Sequence, residues 1–105
     1  MRSERAGEVL RFVAANLFRA RVRAHMTQEQ VAELADIDLR FLQRVERGQT
    51  NVSVAVVVAL ADALGVPVAG LFRRASLPEA MRGVHGAFLP GWAITNLFAG
   101  HPTEN

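Results

Sequence analysis

Apolar positions along this chain recur at helical spacing, and no stretch of useful length alternates as a strand would. Leu10, Val13, Leu17 and Ala20 fall three or four residues apart. That spacing predicts a first helix from about Glu4 to Arg23, with Ser3 as its cap. Thr27-Gln28-Glu29-Gln30 has the form of a capping box, in which the Thr27 hydroxyl and the Gln30 side chain each accept from an otherwise orphaned N–H. It opens a second helix ending near Ala35. Asp36-Ile37-Asp38 leaves room only for a tight turn. Aspartate tolerates left-handed backbone angles better than most residues, and Asp38 suits the cap of a third helix. That helix is predicted from Leu39 to Arg47, closed by Gly48 in the left-handed position. Beyond the polar loop Gln49-Thr50-Asn51, Ser53 caps a fourth helix that runs to Leu64 and stops at Gly65. Pro67 then restarts a short fifth helix ending near Phe72.

The pattern changes after Arg73-Arg74. Residues 75–105 hold many of the glycines and prolines, the single tryptophan and few charges. Ser76-Leu77-Pro78-Glu79 is a second capping box and predicts a short helix to about Arg82. Phe88, Leu89, Trp92, Ile94, Leu97 and Phe98 then form an apolar segment broken by Pro90-Gly91. The expected organisation is an all-α domain over residues 1–74 and a C-terminal extension over 75–105. The weakly charged run from Val54 to Phe72 approaches the length of a membrane span. Gly65 and Pro67 interrupt it, and Asp62 would cost roughly 2.5–3.5 kcal/mol at mid-bilayer, so a buried helix and turn are the better reading.

Composition removes several function classes. There is no cysteine among the 105 residues, which excludes a disulfide scaffold, thiolate metal sites and a cysteine nucleophile. His25, His85 and His101 lie far apart with no metal-ligand spacing, and neither a Gly-rich phosphate loop nor a Ser/His/acid arrangement is present. No enzyme, cofactor or metal is expected. No apolar signal segment follows Met1-Arg2-Ser3-Glu4-Arg5, and a cytoplasmic location is expected. All twelve basic residues are arginine, yet the net charge is only +2. What matters is therefore where the arginines lie rather than their sum.

The third helix concentrates them. At about 100° per residue, with Leu39 at zero, Gln43, Arg47, Arg40 and Arg44 fall between about 40° and 140°. Phe41, Val45 and Leu42 fall near 200°, 240° and 300°, on the opposite side. One face is built to pack, and the other is free to meet a partner. Arginine can grip guanine O6 and N7 through two parallel hydrogen bonds. A solvated helix face also carries charges, but two short helices joined by a three-residue turn form a helix-turn-helix layout.

The run Met26-Thr27-Gln28-Glu29-Gln30-Val31-Ala32 is joined by Ile37, Leu42, Val45-Glu46-Arg47-Gly48, Asn51, Ser53, Leu60-Ala61-Asp62-Ala63-Leu64-Gly65-Val66 and Leu71-Phe72. Together they resemble the lambda-repressor-like, or Xre-type, helix-turn-helix family over about residues 12–74. The resemblance implies a five-helix domain that binds operator DNA as a homodimer. Carried over by position, it assigns base contacts to Leu39, Arg40 and Arg44, with Gln43 at the margin. It assigns phosphate contacts to Thr27 and Gln28 at the start of the second helix, and to Arg47, Thr50 and Asn51 beyond the third. It also implies a structural, partly buried ion pair between Arg21 and Glu46. Three positions depart from the family pattern: Asp36 stands where glycine is favoured, Leu34 where a polar residue is common, and Val52 where proline is frequent.

The fourth helix is apolar nearly all round, and such a helix should be covered. Val56 and Ala59 are candidate dimer or partner-surface positions, together with Phe88, Trp92, Leu97 and Phe98 of the extension. Two alternatives stay open: a homodimer interface, or cover by the C-terminal segment. The expected function is a sequence-specific DNA-binding regulator on a roughly palindromic site, with an antitoxin-like or protein-interaction module as the alternative. A protein partner or small-molecule effector at the C-terminal segment is a further alternative.

Overall fold

The computed structural model describes residues 4–76. Ser3, the short helix expected after Ser76, and Phe88, Trp92, Leu97 and Phe98 lie outside the described residues. Within them the chain is all-helical: α1 Glu4–Arg23, α2 Gln28–Ala35, α3 Leu39–Glu46, α4 Val54–Leu64 and a closing 3₁₀ helix Val68–Phe72.

Two elements differ from the sequence expectation. α3 ends at Glu46, and Arg47 forms its C-cap at φ −89°, ψ −5°. The fifth helix is 3₁₀ rather than α: Gly70 N–H bonds back to the Pro67 carbonyl at 3.0 Å. Pro67 gives it no side-chain cap, and a segment of this length commonly closes with three-residue bonds.

Each α-helix stops in the same way. The residue after the last turn takes a left-handed conformation: His25 (φ 59°), Asp36 (φ 57°), Gly48 (φ 70°) and Gly65 (φ 69°). The paired bonds of a Schellman motif accompany each of them. After α2, for example, Ile37 N–H reaches the Ala32 carbonyl at 3.0 Å and Asp36 N–H the Glu33 carbonyl at 3.2 Å. These bonds satisfy carbonyls that the helix end would otherwise orphan.

The core lies between α2, α3, α4 and the inner side of α1. Leu17, Val31, Leu42, Leu60 and Leu71 are fully enclosed within it, each contributing about 1.5–3 kcal/mol by burial. α4 inserts Val57, Leu60 and Ala61. Val56 and Ala59 are half-buried and packed against this core. The apolar surface that α4 exposes is instead Val54, Ala55 and Val58, with Val54 75% exposed. No described helix is long and apolar enough to cross a membrane.

Candidate nucleic-acid interface

The α2–turn–α3 unit is fixed by side chains at each of its joints. Thr27 Oγ1 accepts from Gln30 N–H at 3.0 Å, and Gln30 Oε1 accepts from Thr27 N–H at 2.8 Å. Asp36 turns the chain in the left-handed conformation. Asp38 Oδ2 then accepts from the N–H groups of Arg40 at 2.9 Å and Phe41 at 3.3 Å, which starts α3.

The rotational phase of α3 decides what it presents. Leu42, Val45 and Glu46 are buried. Arg40, Arg44 and Arg47 are exposed, and Leu39, Phe41 and Gln43 are half-buried. The three arginines therefore share the outward face. The Arg44 guanidinium lies 5.7 Å from the centre of the Phe41 ring, a contact that steadies it without using its hydrogen-bond donors. Leu39 is turned partly toward the core.

A polar chain runs from the interior to this face. Arg21 Nε donates to Glu46 Oε2 at 2.6 Å and its Nη2 to Oε1 at 3.1 Å, the two-pronged geometry typical of strong guanidinium–carboxylate pairs. Arg21 Nη1 also reaches the Met26 carbonyl at 3.1 Å. Gln28 Nε2 donates to Glu46 Oε1 at 3.0 Å, and Gln43 Nε2 donates to Gln28 Oε1 at 3.3 Å. Gln28 is only 4% exposed, so its side chain is committed inward. Its backbone N–H belongs to the first turn of α2, where the helix offers it no acceptor. The phase of α2 carries the signal for this: Val31, Ala32 and Ala35 all fall within about 60° of Gln28, so a glutamine in the middle of the packed face must find polar partners inside.

Thr50 is half-buried and donates to the Asn51 carbonyl at 3.4 Å, while Asn51 is exposed. The loop carrying them follows directly from the arginine-bearing end of α3. Gly48, at φ 70°, carries that loop past α1, where a Cβ on it would meet Arg11 Cγ at 3.4 Å and Arg11 Cα at 3.6 Å, ordinary contact distances. Sequence reading misses Asn16. Its Nδ2 donates to the carbonyls of Leu71 at 3.0 Å and Arg73 at 2.8 Å, tying the 3₁₀ helix to α1.

A helix-turn-helix family profile matches residues 17–71, more than half of the chain. The chain belongs to that family, in its Xre or lambda-repressor-like form. Among solved structures it is similar to the restriction-modification controller protein C.AhdI from Aeromonas hydrophila, with 35% identity, 60% of this chain and 96% of that chain covered, and a TM-score of 0.58. It is also similar to the hypothetical transcription factor NHTF from Neisseria, with 26% identity, 66% and 79% covered, and a TM-score of 0.62. The clp gene regulator ClgR from C. glutamicum matches at 27% identity, with 60% and 82% covered and a TM-score of 0.58. No curated protein matches. Fold and family together define a DNA-binding transcriptional regulator, a class that is not enzymatic.

Proposed function

We propose that this regulator binds a roughly palindromic operator as a homodimer, with α3 of each protomer in the major groove and half-sites roughly 34–36 Å apart. The observation that carries the reading is the outward face of α3, where Arg40, Arg44 and Arg47 stand exposed above the buried Leu42, Val45 and Glu46. Arg40 and Arg44 read base edges, Leu39 offers apolar contact to a thymine methyl, and Gln43 reads at the margin of the site. Phosphates are held by Thr27 and by the backbone N–H of Gln28 at the positive end of α2. Beyond α3 they are held by Arg47, Thr50 and Asn51. The dimer surface includes Val56 and Ala59 with the apolar positions Phe88, Trp92, Leu97 and Phe98. The exposed Val54, Ala55 and Val58 continue that surface along α4. The similarity to a restriction-modification controller protein and to a clp gene regulator supports a regulatory role.

The test is selection of the purified protein on a random DNA pool at two salt concentrations, with sequencing of the retained DNA and Arg40→Ala/Arg44→Ala as control. A motif of two related half-sites, weakened by salt and abolished in the variant, is the expected result. Enrichment of no sequence, with the variant behaving as wild type, overturns the reading.

A further inference from the structure

The polar chain that leaves the interior at Gln43 has a direction. It starts at Glu46, a carboxylate with only lone pairs to offer. Both Glu46 oxygens accept from the Arg21 guanidinium, and Oε1 also accepts from Gln28 Nε2 at 3.0 Å. Gln28 is 4% exposed and has to set its amide nitrogen toward that carboxylate, since the reverse orientation would bring oxygen against oxygen. Its carbonyl oxygen is thereby turned to the other side, where it accepts from Gln43 Nε2 at 3.3 Å. An amide can bond in two opposite senses. Here one charged end fixes the sense for both glutamines.

Gln43 is where this chain reaches the outward face of α3. It is half-buried, and by helical phase it lies within about 60° of Arg40 and Arg47. Its nitrogen is tied to Gln28, which leaves the carbonyl oxygen. Among the described residues no donor reaches that oxygen. An acceptor on a groove-facing side chain selects for donors. In the major groove those are the exocyclic amines, N6 of adenine and N4 of cytosine, whereas guanine O6 and N7 and thymine O4 are acceptors.

We infer that Gln43 reads an exocyclic amine, adenine N6 or cytosine N4, through its side-chain oxygen, and that Gln28 is the buried positioning residue that sets this polarity. The assignment rests on α3 entering the major groove, and it gives the Gln43 contact a stated sense. Arg40 and Arg44 can only donate, so Gln43 supplies the face with an acceptor. Specificity at its base pair then depends on a side chain that touches no DNA, because the orientation of Gln43 is inherited from Gln28 and, through it, from the Arg21–Glu46 pair.

The test uses the full chain on the operator selected from the random pool. Gln43→Met first locates the base pair at which sequence preference flattens. There adenine is replaced by purine, or cytosine by pyrimidin-2-one, analogues that lack only the exocyclic amine. Fluorescence anisotropy then gives the affinity ratio between the two DNAs for each protein. Wild type should prefer the amine-bearing operator about threefold to tenfold. Gln43→Met should show a ratio near one, and any effect of the analogue on the duplex itself appears there too. Gln28→Met keeps the length of the side chain and leaves the Arg21–Glu46 pair in place, and its ratio should also fall toward one. Both DNAs are measured with the same protein, so a loss of stability alone does not move the ratio. Gln43→Met alters only a half-buried residue and keeps the test open whatever Gln28→Met does to folding. If Gln43→Met flattens no position, or if removing the amine leaves wild-type binding unchanged, the inference is overturned while the operator stands. A full preference retained by folded Gln28→Met overturns its positioning role. A pool that yields no motif overturns the operator reading and this inference with it.

Discussion

Arg21 and Glu46 meet through two hydrogen bonds, at 2.6 and 3.1 Å, with both side chains 1% exposed. The pair joins α1 to the inner face of α3, so it sets the rotation at which α3 shows its arginines outward. The same carboxylate accepts from Gln28, and two donors thus depend on it. Removing one partner strands the others in the core. Arg21→Met or Glu46→Leu should each cost about 3–5 kcal/mol in urea denaturation, and the double variant should cost clearly less than the sum. Additive effects would show that the two residues act separately.

Asp36 and His25 hold left-handed positions that glycine occupies after α3 and α4. An L-residue is strained there by about 1–2 kcal/mol, partly offset by the greater unfolded-state freedom of glycine. Asp36 adds a negative charge at the negative end of α2. Asp36→Gly and His25→Gly should therefore each raise stability by up to about 1 kcal/mol, a rise of several degrees in Tm for a domain of this size. The converse applies to Gly48 and Gly65. A Cβ at Gly48 meets Arg11 only at ordinary contact distance, and at Gly65 it meets nothing within 4 Å. Gly48→Ala and Gly65→Ala should cost nearly the same, about 1–2 kcal/mol, because backbone strain dominates both. A much larger cost at Gly48 would mean that its approach to α1 is the controlling factor.

The left-handed turns also show where sequence reading stops. Glycine announces itself, so the ends of α3 and α4 are legible, and Asp36 can be placed because the turn is too short for anything else. His25 carries no such mark; it closes α1 with its own N–H on the Val22 carbonyl and the Met26 N–H on the Arg21 carbonyl. The arginine face of α3 is legible because helical phase alone separates Arg40 and Arg44 from Leu42 and Val45. The same count sets Leu39 on the free face, yet it turns partly into the core, because the first residue of a helix also packs against the turn before it. Its place at a helix start marks Gln28 for phosphate, whereas the phase of α2 sends its side chain inward. Asn16 is beyond reach, since its partners lie 55 and 57 residues further along the chain and are backbone carbonyls that no side-chain pattern advertises.

Asn16 should prove to be a stability residue with a local signature. Its amide satisfies two carbonyls at the end of the 3₁₀ helix, and removing one partner from such a bond costs about 1–3 kcal/mol where the group left behind is buried. Asn16→Ala should raise hydrogen-exchange rates at Gly70 and Leu71 more than those in α2 and α3. Uniform acceleration throughout the domain would assign it a global role instead.

Arg40 and Arg47 are both exposed on the arginine side of α3, but they sit at opposite ends of it, and this difference should be visible in binding. Arg40 is one residue into the helix, where the proposed docking brings side chains to base edges. Arg47 is the C-cap and leads into the Thr50-Asn51 loop, where it meets the sugar–phosphate backbone. Base contacts carry sequence information, and phosphate contacts carry charge alone. Arg40→Ala should therefore cost about 1–3 kcal/mol on the preferred site and flatten the preference at one position of each half-site. Arg47→Ala should weaken all sequences alike and lower the slope of log affinity against log salt by about one for each phosphate no longer neutralised. Fluorescence anisotropy on the selected operator and on single-position variants, across a salt series, separates the two outcomes. If Arg47→Ala alters the preferred sequence and Arg40→Ala changes only the salt slope, α3 enters the groove in the reverse sense, with its C-terminal end against the bases.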